Sequence, residues 1–75
     1  MQAYSNLSGN SGVVAFETGP DFIRVQFVGG DTYLYTHRSA SAPIVEEMKV
    51  RAVRGKGLSA FISRSVKGGY ADKSR

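Results

Sequence analysis

Tyr33 and Tyr35 are the residues of this chain whose types and spacing most directly suggest chemistry. One residue, Leu34, separates them in a stretch rich in β-forming residues, and alternate residues of a strand lie on the same face of a sheet. Two neighbouring aromatic rings can stack on nucleobases while nearby cations hold the phosphates. The same rings can equally be ordinary core. The pair therefore indicates either nucleic-acid binding or packing.

The cations that such a site needs are concentrated in the second half of the chain. The net charge is +4, and all but one of the ten lysines and arginines follow residue 36. A surface that neutralises several phosphates binds RNA in a salt-sensitive and largely sequence-independent way. The alternative is a solvated helix face whose charges suit the helix dipole. The candidate nucleic-acid-binding residues are Arg24, Tyr33, Tyr35, Arg51, Arg54, Lys56, Arg64 and Lys67.

Other chemistries lack the residues that they require. The absence of cysteine excludes disulfides, thiolate metal sites and thiol nucleophiles. The single histidine, His37, has no carboxylate or cysteine close to it in sequence, so it predicts neither a metal site nor a catalytic triad. The run Gly55-Lys56-Gly57 lacks the spacing of a nucleotide-binding loop and predicts a turn between helices. We expect no enzyme, no cofactor and no metal.

The first half of the chain is predicted to form an antiparallel sheet. Apolar residues alternate with Arg24 and Gln26, which is typical of a half-buried strand. Glycine-containing connections around Pro20 and at Gly29-Gly30 are short enough to join antiparallel neighbours. The predicted strands are 13–18, 22–28 and 32–36.

The second half is predicted to be helical after a polar loop over 37–42. Pro43 suits the first turn of a helix, and that helix is expected to end at Gly55. Apolar residues at helical spacing predict a second, short helix over 58–66. The expected fold is α+β, a three-stranded antiparallel meander followed by two short helices packed on one face (β-β-β-α-α). It occupies 13–71, between a loosely ordered lead-in, 1–12, and a frayed basic tail, 72–75.

The length of the central hairpin loop determines which face carries the tyrosines. If the loop has an odd number of residues, Tyr33 and Tyr35 share the face of Val25 and Phe27 and belong to the core. If the turn is the two-residue Gly30-Asp31, Tyr33 and Tyr35 face outward beside Arg24. Both registers are compatible with the sequence.

The order of these elements resembles the KTSC domain, a short module named after the C-terminal region of certain lysyl-tRNA synthetases. The matching segments span about residues 11–70. The resemblance implies a small appended or stand-alone module for which RNA binding has been inferred. The segments that carry it are Ile23 to Phe27, the Gly29-Gly30 turn, Tyr33-Leu34-Tyr35, the helix through Met48 and Ala52, Gly55 to Gly57, Phe61-Ile62, and Val66 to Tyr70.

Two functions from different classes follow from these observations. The first is a non-enzymatic module that binds RNA or another polyanion through the basic helical half. The second is a protein-interaction or self-association module, for instance a homodimer, that uses an exposed sheet face or edge strand. The first residues lack the basic start and apolar run of a signal peptide, and the apolar runs are too short to span a membrane. We therefore expect a cytoplasmic protein that does not enter membranes.

Overall fold

The computed structural model of the chain describes residues 1–9, 11–66 and 68–74. Within them the chain forms an antiparallel sheet followed by helices, so the predicted α+β class is confirmed. The sheet has more strands than the three predicted, and an additional short helix follows the meander. The elements are β1 (Gln2–Ala3), β2 (Val13–Thr18), β3 (Phe22–Phe27), β4 (Thr32–Thr36), α1 (His37–Ala40), α2 (Ala42–Arg54), α3 (Leu58–Ser65) and β5 (Asp72–Ser74).

The sheet is a meander in which every neighbouring pair is antiparallel. The strand order is β1-β2-β3-β4-β5, the same as the order along the chain. Short connections place sequential strands side by side, as expected for β2, β3 and β4. The central three strands lie close to the predicted boundaries.

Both ends of the chain contribute an edge strand, in place of the loosely ordered lead-in and frayed tail that we expected. In β1, Gln2 pairs with Phe16, and the amide of Tyr4 donates to the Val14 carbonyl oxygen at 3.0 Å. In β5, Ser74 pairs with Thr32. Strands of two or three residues are too short to show an alternating pattern in the sequence. Their extended conformation depends on pairing with a longer neighbouring strand.

A short helix, α1, replaces the start of the polar loop predicted over 37–42. Thr36 and Ser39 form a capping box: the Ser39 amide donates to the Thr36 hydroxyl, and the Thr36 amide donates to the Ser39 hydroxyl, each at 3.0 Å. This reciprocal pair satisfies two amides at the helix start. The two longer helices follow as predicted, and Gly55 ends α2 in the left-handed conformation at φ +80°.

The core lies between one face of the sheet and the helices. Ile23 and Val25 on the inner face are fully buried, whereas Arg24 between them is only half-buried. This alternation is the one predicted for a strand with one face toward the helices. The buried core consists of Tyr4, Val13, Phe16, Ile23, Val25, Tyr35, Val45, Met48, Ala52, Leu58, Phe61 and Val66.

The hairpin between β3 and β4 places both tyrosines on the inner face. The Phe27 amide donates to the Asp31 carbonyl oxygen at 2.8 Å, which leaves a loop over 28–30 with an odd number of residues. In this register Val25 pairs with Tyr33 and Ile23 pairs with Tyr35. The outward-facing register is therefore wrong, and Arg24 pairs instead with Leu34.

Candidate nucleic-acid interface

An open groove separates the β3–β4 hairpin from α3 and from the segment that leads into β5. Its volume is about 490 Å³, within the range of about 300–1,000 Å³ typical of small-ligand sites. The sheet contributes aromatic residues and the helix contributes Ile62 and Ser63. The lining residues are Phe27, Asp31, Tyr33, Tyr35, Ile62, Ser63, Val66, Gly68 and Tyr70.

Four aromatic rings form one continuous wall of this groove, with Tyr33 at the centre. The Phe27 and Tyr70 rings meet the Tyr33 ring nearly at right angles, with centroids 5.4 Å and 4.9 Å away. The Tyr35 ring lies 6.3 Å from Tyr33 and almost parallel to it. Edge-to-face pairs of this kind favour a fixed arrangement of rings. Tyr35 is buried, whereas Tyr70 is 43% exposed and accessible to a ligand.

The aromatic wall is also in contact with charged groups. The Lys73 ammonium lies 5.4 Å from the centroid of the Tyr33 ring and 3.9 Å from an Asp31 carboxylate oxygen. A cation at this distance is attracted by the electrons of the ring. Burial, with smaller contributions from Tyr33 and Tyr70, raises the pKa of the Tyr35 hydroxyl to about 12, so this group is neutral at physiological pH.

Three of the predicted phosphate-binding cations lie on the helical side of the molecule. Arg54, Lys56 and Arg64 are exposed, and within the described residues their side chains form no ion pair or hydrogen bond. Arg64 follows Ser63, which lines the groove, whereas Arg54 and Lys56 precede α3. An eight-residue helix is about 12 Å long, so the two groups flank opposite ends of α3. Lys67 lies outside the described residues.

The other two predicted cations are held by intramolecular contacts. Arg24 lies on the open face of the sheet, away from the groove, and pairs with Glu17 at 3.1 Å. Arg51 pairs with Glu47 at 2.7 Å, and its guanidinium lies 4.6 Å from the centroid of the Phe61 ring. The structure therefore does not unite the predicted set into a single surface. It brings the two tyrosines together and leaves Arg24 and Arg51 outside the groove.

Sequence reasoning did not select Phe27, Asp31 and Tyr70, which line the groove, or Lys73, which contacts the Tyr33 ring. Phe27 was assigned to the strand, Tyr70 to a segment that returns toward the core, and Lys73 to the tail, while Asp31 was assigned to a turn. The odd hairpin loop alone would have placed Phe27 beside Tyr33. Tyr70 and Lys73 gave no local signal, because they approach Tyr33 only when β5 pairs with β4.

A smaller hollow of about 220 Å³ lies at the start of α3, beside the turn that contains Lys56. Gly55 and Gly57, the residues before and after Lys56, adopt left-handed conformations with φ of +80° and +83°. The Leu58 amide at the helix start donates to the Tyr4 hydroxyl at 3.3 Å. These contacts confirm the prediction of a turn between helices.

His37 is closer to a carboxylate than its sequence neighbours suggest. Its Nε2 atom lies 2.7 Å from Glu46, which also pairs with Lys49 at 2.9 Å. The hydrogen bond with Lys49, and to a smaller extent the one with His37, lowers the pKa of the Glu46 carboxyl. Lys49 also donates to the Gly19 carbonyl oxygen at 2.7 Å, so this group fastens α2 to the β2–β3 turn. Within the described residues, no three His, Asp or Glu side chains are placed to share a metal ion.

Comparison of the chain with models of known protein families, with characterised proteins and with solved structures finds no match. The KTSC resemblance therefore stays a prediction. Across 1–9, 11–66 and 68–74, no helix combines the length and the hydropathy that a membrane span requires.

Proposed function

We propose that this chain is a small non-enzymatic module, of the KTSC type, that binds RNA or another polyanion. An unpaired base enters the aromatic groove, and the adjoining phosphates contact cations around it. Single-stranded RNA is commonly recognised in this way, because unstacked bases offer flat faces to aromatic side chains. A cytoplasmic location, expected from the sequence, is compatible with such a partner.

The observation that carries this proposal is the aromatic wall with an exposed ring at its edge. Tyr70 is 43% exposed although it packs on Tyr33 at 4.9 Å. A ring that is fixed on one side and open on the other offers a stacking surface at little cost in conformational entropy. Stacking of one base on such a ring contributes about 1–3 kcal/mol.

The position of the cations supports the same assignment. Lys73 contacts the Tyr33 ring, and Arg64 follows a residue that lines the groove. Phosphates on either side of a bound base would therefore meet positive charge. Arg54 and Lys56, at the other end of α3, provide positive charge for the phosphates of a longer RNA. The overall charge of +4 favours encounter with a polyanion.

Fluorescence anisotropy tests the proposal directly. Purified protein is titrated into labelled tRNA and a labelled mixed-sequence single-stranded RNA at about 50 and 200 mM salt. We expect saturable binding that weakens steeply at the higher salt concentration. An affinity that is equal at both salt concentrations would contradict a role for phosphate contacts.

Variants then locate the site. Tyr70→Ala is expected to weaken binding by about 5- to 150-fold, the equivalent of one lost base stack, whereas Tyr70→Phe retains the ring and most of the affinity. Phe22→Ala is the matched control, because Phe22 is a half-buried aromatic residue on the opposite sheet face. A loss of affinity as large for Phe22→Ala as for Tyr70→Ala would place the ligand elsewhere.

The alternative, a protein-interaction or self-association module, has less support. The edge strands β1 and β5 contain two and three residues, and short edges offer few backbone groups for pairing with another chain. The open sheet face carries the Glu17–Arg24 ion pair. Light scattering at micromolar concentration distinguishes the alternatives: a dimer with no salt-dependent RNA binding would favour self-association.

A further inference from the structure

We infer that the Tyr35 hydroxyl recognises the hydrogen-bonding edge of the base that enters the groove. This inference rests on the proposed function, because it requires that a base enters the groove. Stacking alone uses the flat face of the ligand, which a base shares with any aromatic ring. A hydroxyl inside the groove adds a polar contact, so the ligand is a base with a polar edge rather than an apolar ring.

The fold leaves the hydrogen-bonding capacity of Tyr35 unused. Within residues 1–9, 11–66 and 68–74, its ring contacts the Tyr33 and Tyr70 rings, but its hydroxyl forms no hydrogen bond. Tyr35 is only 3% exposed, and a buried tyrosine hydroxyl usually has a partner. Tyr4, which is also buried, follows this rule, because its hydroxyl accepts from the Leu58 amide at 3.3 Å. The Tyr35 hydroxyl is therefore available to a ligand that can reach it.

A ligand reaches this hydroxyl through the groove. Among the described residues, every side-chain oxygen or nitrogen that is fully buried has a hydrogen-bond partner. The Tyr35 oxygen has none there, so it belongs to the small part of the residue that solvent contacts. The hollow that Tyr35 lines is the groove. Burial is the main cause of the raised pKa of Tyr35, and Tyr33 and Tyr70, which line the same groove, add to it.

Tyr70 and Tyr35 have different roles toward the base. Their rings are nearly perpendicular, at 89°, with centroids 6.5 Å apart. A base that stacks on the exposed Tyr70 ring is therefore nearly perpendicular to the Tyr35 ring and cannot stack on both. Tyr35 contributes its hydroxyl instead.

A neutral hydroxyl suits the edge of any of the four bases. The pKa of about 12 keeps the Tyr35 hydroxyl protonated, so it can donate one hydrogen bond and accept others. Each base presents both donors and acceptors along its edges, and these are accessible in single-stranded RNA. An apolar ring of the same shape would leave the hydroxyl without a partner, which carries a desolvation cost. The hydroxyl therefore selects polar-edged bases and does not select one base among them.

The inference is tested with the Tyr35→Phe variant and two labelled single-stranded oligonucleotides. Each is abasic except at one central position, which carries uracil or difluorobenzene, a ring of nearly the same shape that forms almost no hydrogen bonds. Tyr35→Phe should weaken binding of the uracil oligonucleotide about fivefold, the equivalent of one hydrogen bond. It should leave binding of the difluorobenzene oligonucleotide unchanged. Losses of equal size for the two oligonucleotides, or no loss for either, would overturn the inference.

Tyr4→Phe is the matched control, because it removes the hydroxyl of a buried tyrosine that is not among the lining residues of the groove. This change leaves the Leu58 amide without its acceptor, so it should lower the Tm and leave both affinities unchanged. Tyr35→Phe removes a hydroxyl that has no partner among the described residues and should not lower the Tm. If Tyr35→Phe lowers the Tm and weakens both oligonucleotides equally, its hydroxyl supports the fold and the inference is wrong.

The same titrations distinguish failure of the inference from failure of the proposed function. If Tyr70→Ala weakens both oligonucleotides and Tyr35→Phe weakens neither, stacking stands and recognition of the edge falls. If only mixed-sequence RNA binds measurably, Tyr35→Phe should weaken that binding about fivefold and Tyr4→Phe should not; equal affinities for the two variants would overturn the inference alone. If neither the oligonucleotides nor mixed-sequence RNA bind at about 50 mM salt, both are overturned.

Discussion

Arg51 and Arg54 lie one helical turn apart near the end of α2, yet the structure gives them different surroundings. Arg51 contacts Glu47 at 2.7 Å and lies 4.6 Å from the centroid of the Phe61 ring, whereas Arg54 is exposed. We predict that Arg51→Ala destabilises the fold and leaves the salt dependence of RNA binding unchanged. Arg54→Ala should leave the stability almost unchanged and reduce the salt dependence of RNA binding.

The size of the stability loss follows from the contacts of Arg51. An ion pair at this helical spacing contributes about 0.3–0.5 kcal/mol, and a cation on an aromatic ring contributes about 0.5–2 kcal/mol depending on its exposure. The Arg51 side chain is 25% exposed, so the total loss for Arg51→Ala is about 1–2 kcal/mol. In a domain of this size, each kcal/mol lowers the Tm by about 4–8 °C. Arg54→Ala should change stability by less than about 0.5 kcal/mol.

Thermal and urea unfolding followed by circular dichroism measure the first effect, and anisotropy titrations at several salt concentrations measure the second. Arg54→Ala should reduce the slope of log affinity against log salt by about 1. If Arg51→Ala reduces this slope and leaves the Tm unchanged, Arg51 binds phosphate and our interpretation of its contacts is wrong.

Three further predictions concern stability. A Cβ at Gly55 would lie 2.7 Å from the Ser5 side chain in a left-handed backbone, so Gly55→Ala should cost about 2 kcal/mol or more of unfolding free energy. The control Gly29→Ala meets no atom within 4 Å and should cost only the backbone strain, about 1 kcal/mol; equal losses in urea denaturation would refute the steric argument. Because the pKa of Glu46 is lowered in the folded chain, the contacts of this carboxylate stabilise the fold fully above its ordinary pKa of 4.5. This stabilisation is lost as the pH falls through the lowered pKa. Glu46→Gln should therefore flatten the acid side of the stability–pH profile, and an unchanged profile would contradict the assignment. The raised pKa of Tyr35 means that the unfolded chain ionises first, so stability should fall between about pH 10 and pH 12. Ultraviolet titration should find one tyrosine with a pKa of about 12, absent in Tyr35→Phe, and a titration curve that this substitution does not alter would refute the burial argument.

Local sequence patterns were sufficient to predict the central part of the fold. Alternation around Arg24 located β3, and glycine pairs located the ends of strands and helices, because these signals depend on residues close in sequence. The edge strands were not predictable, since Gln2–Ala3 and Asp72–Ser74 are ordered by pairing with distant partners. The helix α1 was missed because its capping box uses Thr36 and Ser39, whereas the usual pattern has a glutamate or glutamine at the later position.

The candidate site was predicted only in part, because it also depends on contacts between residues that are distant in sequence. The spacing of Tyr33 and Tyr35 indicated that they share a face, but the hairpin loop decided which face, and that depends on one residue. The complete groove also requires Tyr70, which reaches Tyr33 only through the return of the chain into β5. The four-residue spacing of Glu47 and Arg51 is a local signal for their ion pair, whereas the contact of Arg51 with Phe61 depends on how α3 packs against α2.

The central claim is that RNA enters the aromatic groove, and NMR titration tests it most directly. Backbone amide shifts of the uniformly labelled protein are followed as a mixed-sequence single-stranded RNA is added. We predict the largest shifts at Asp31, Ser63 and Tyr70 around the groove, with little change at Arg24 and Gln26 on the open sheet face. Shifts concentrated on the open face, or no shifts at saturating RNA, would contradict the account.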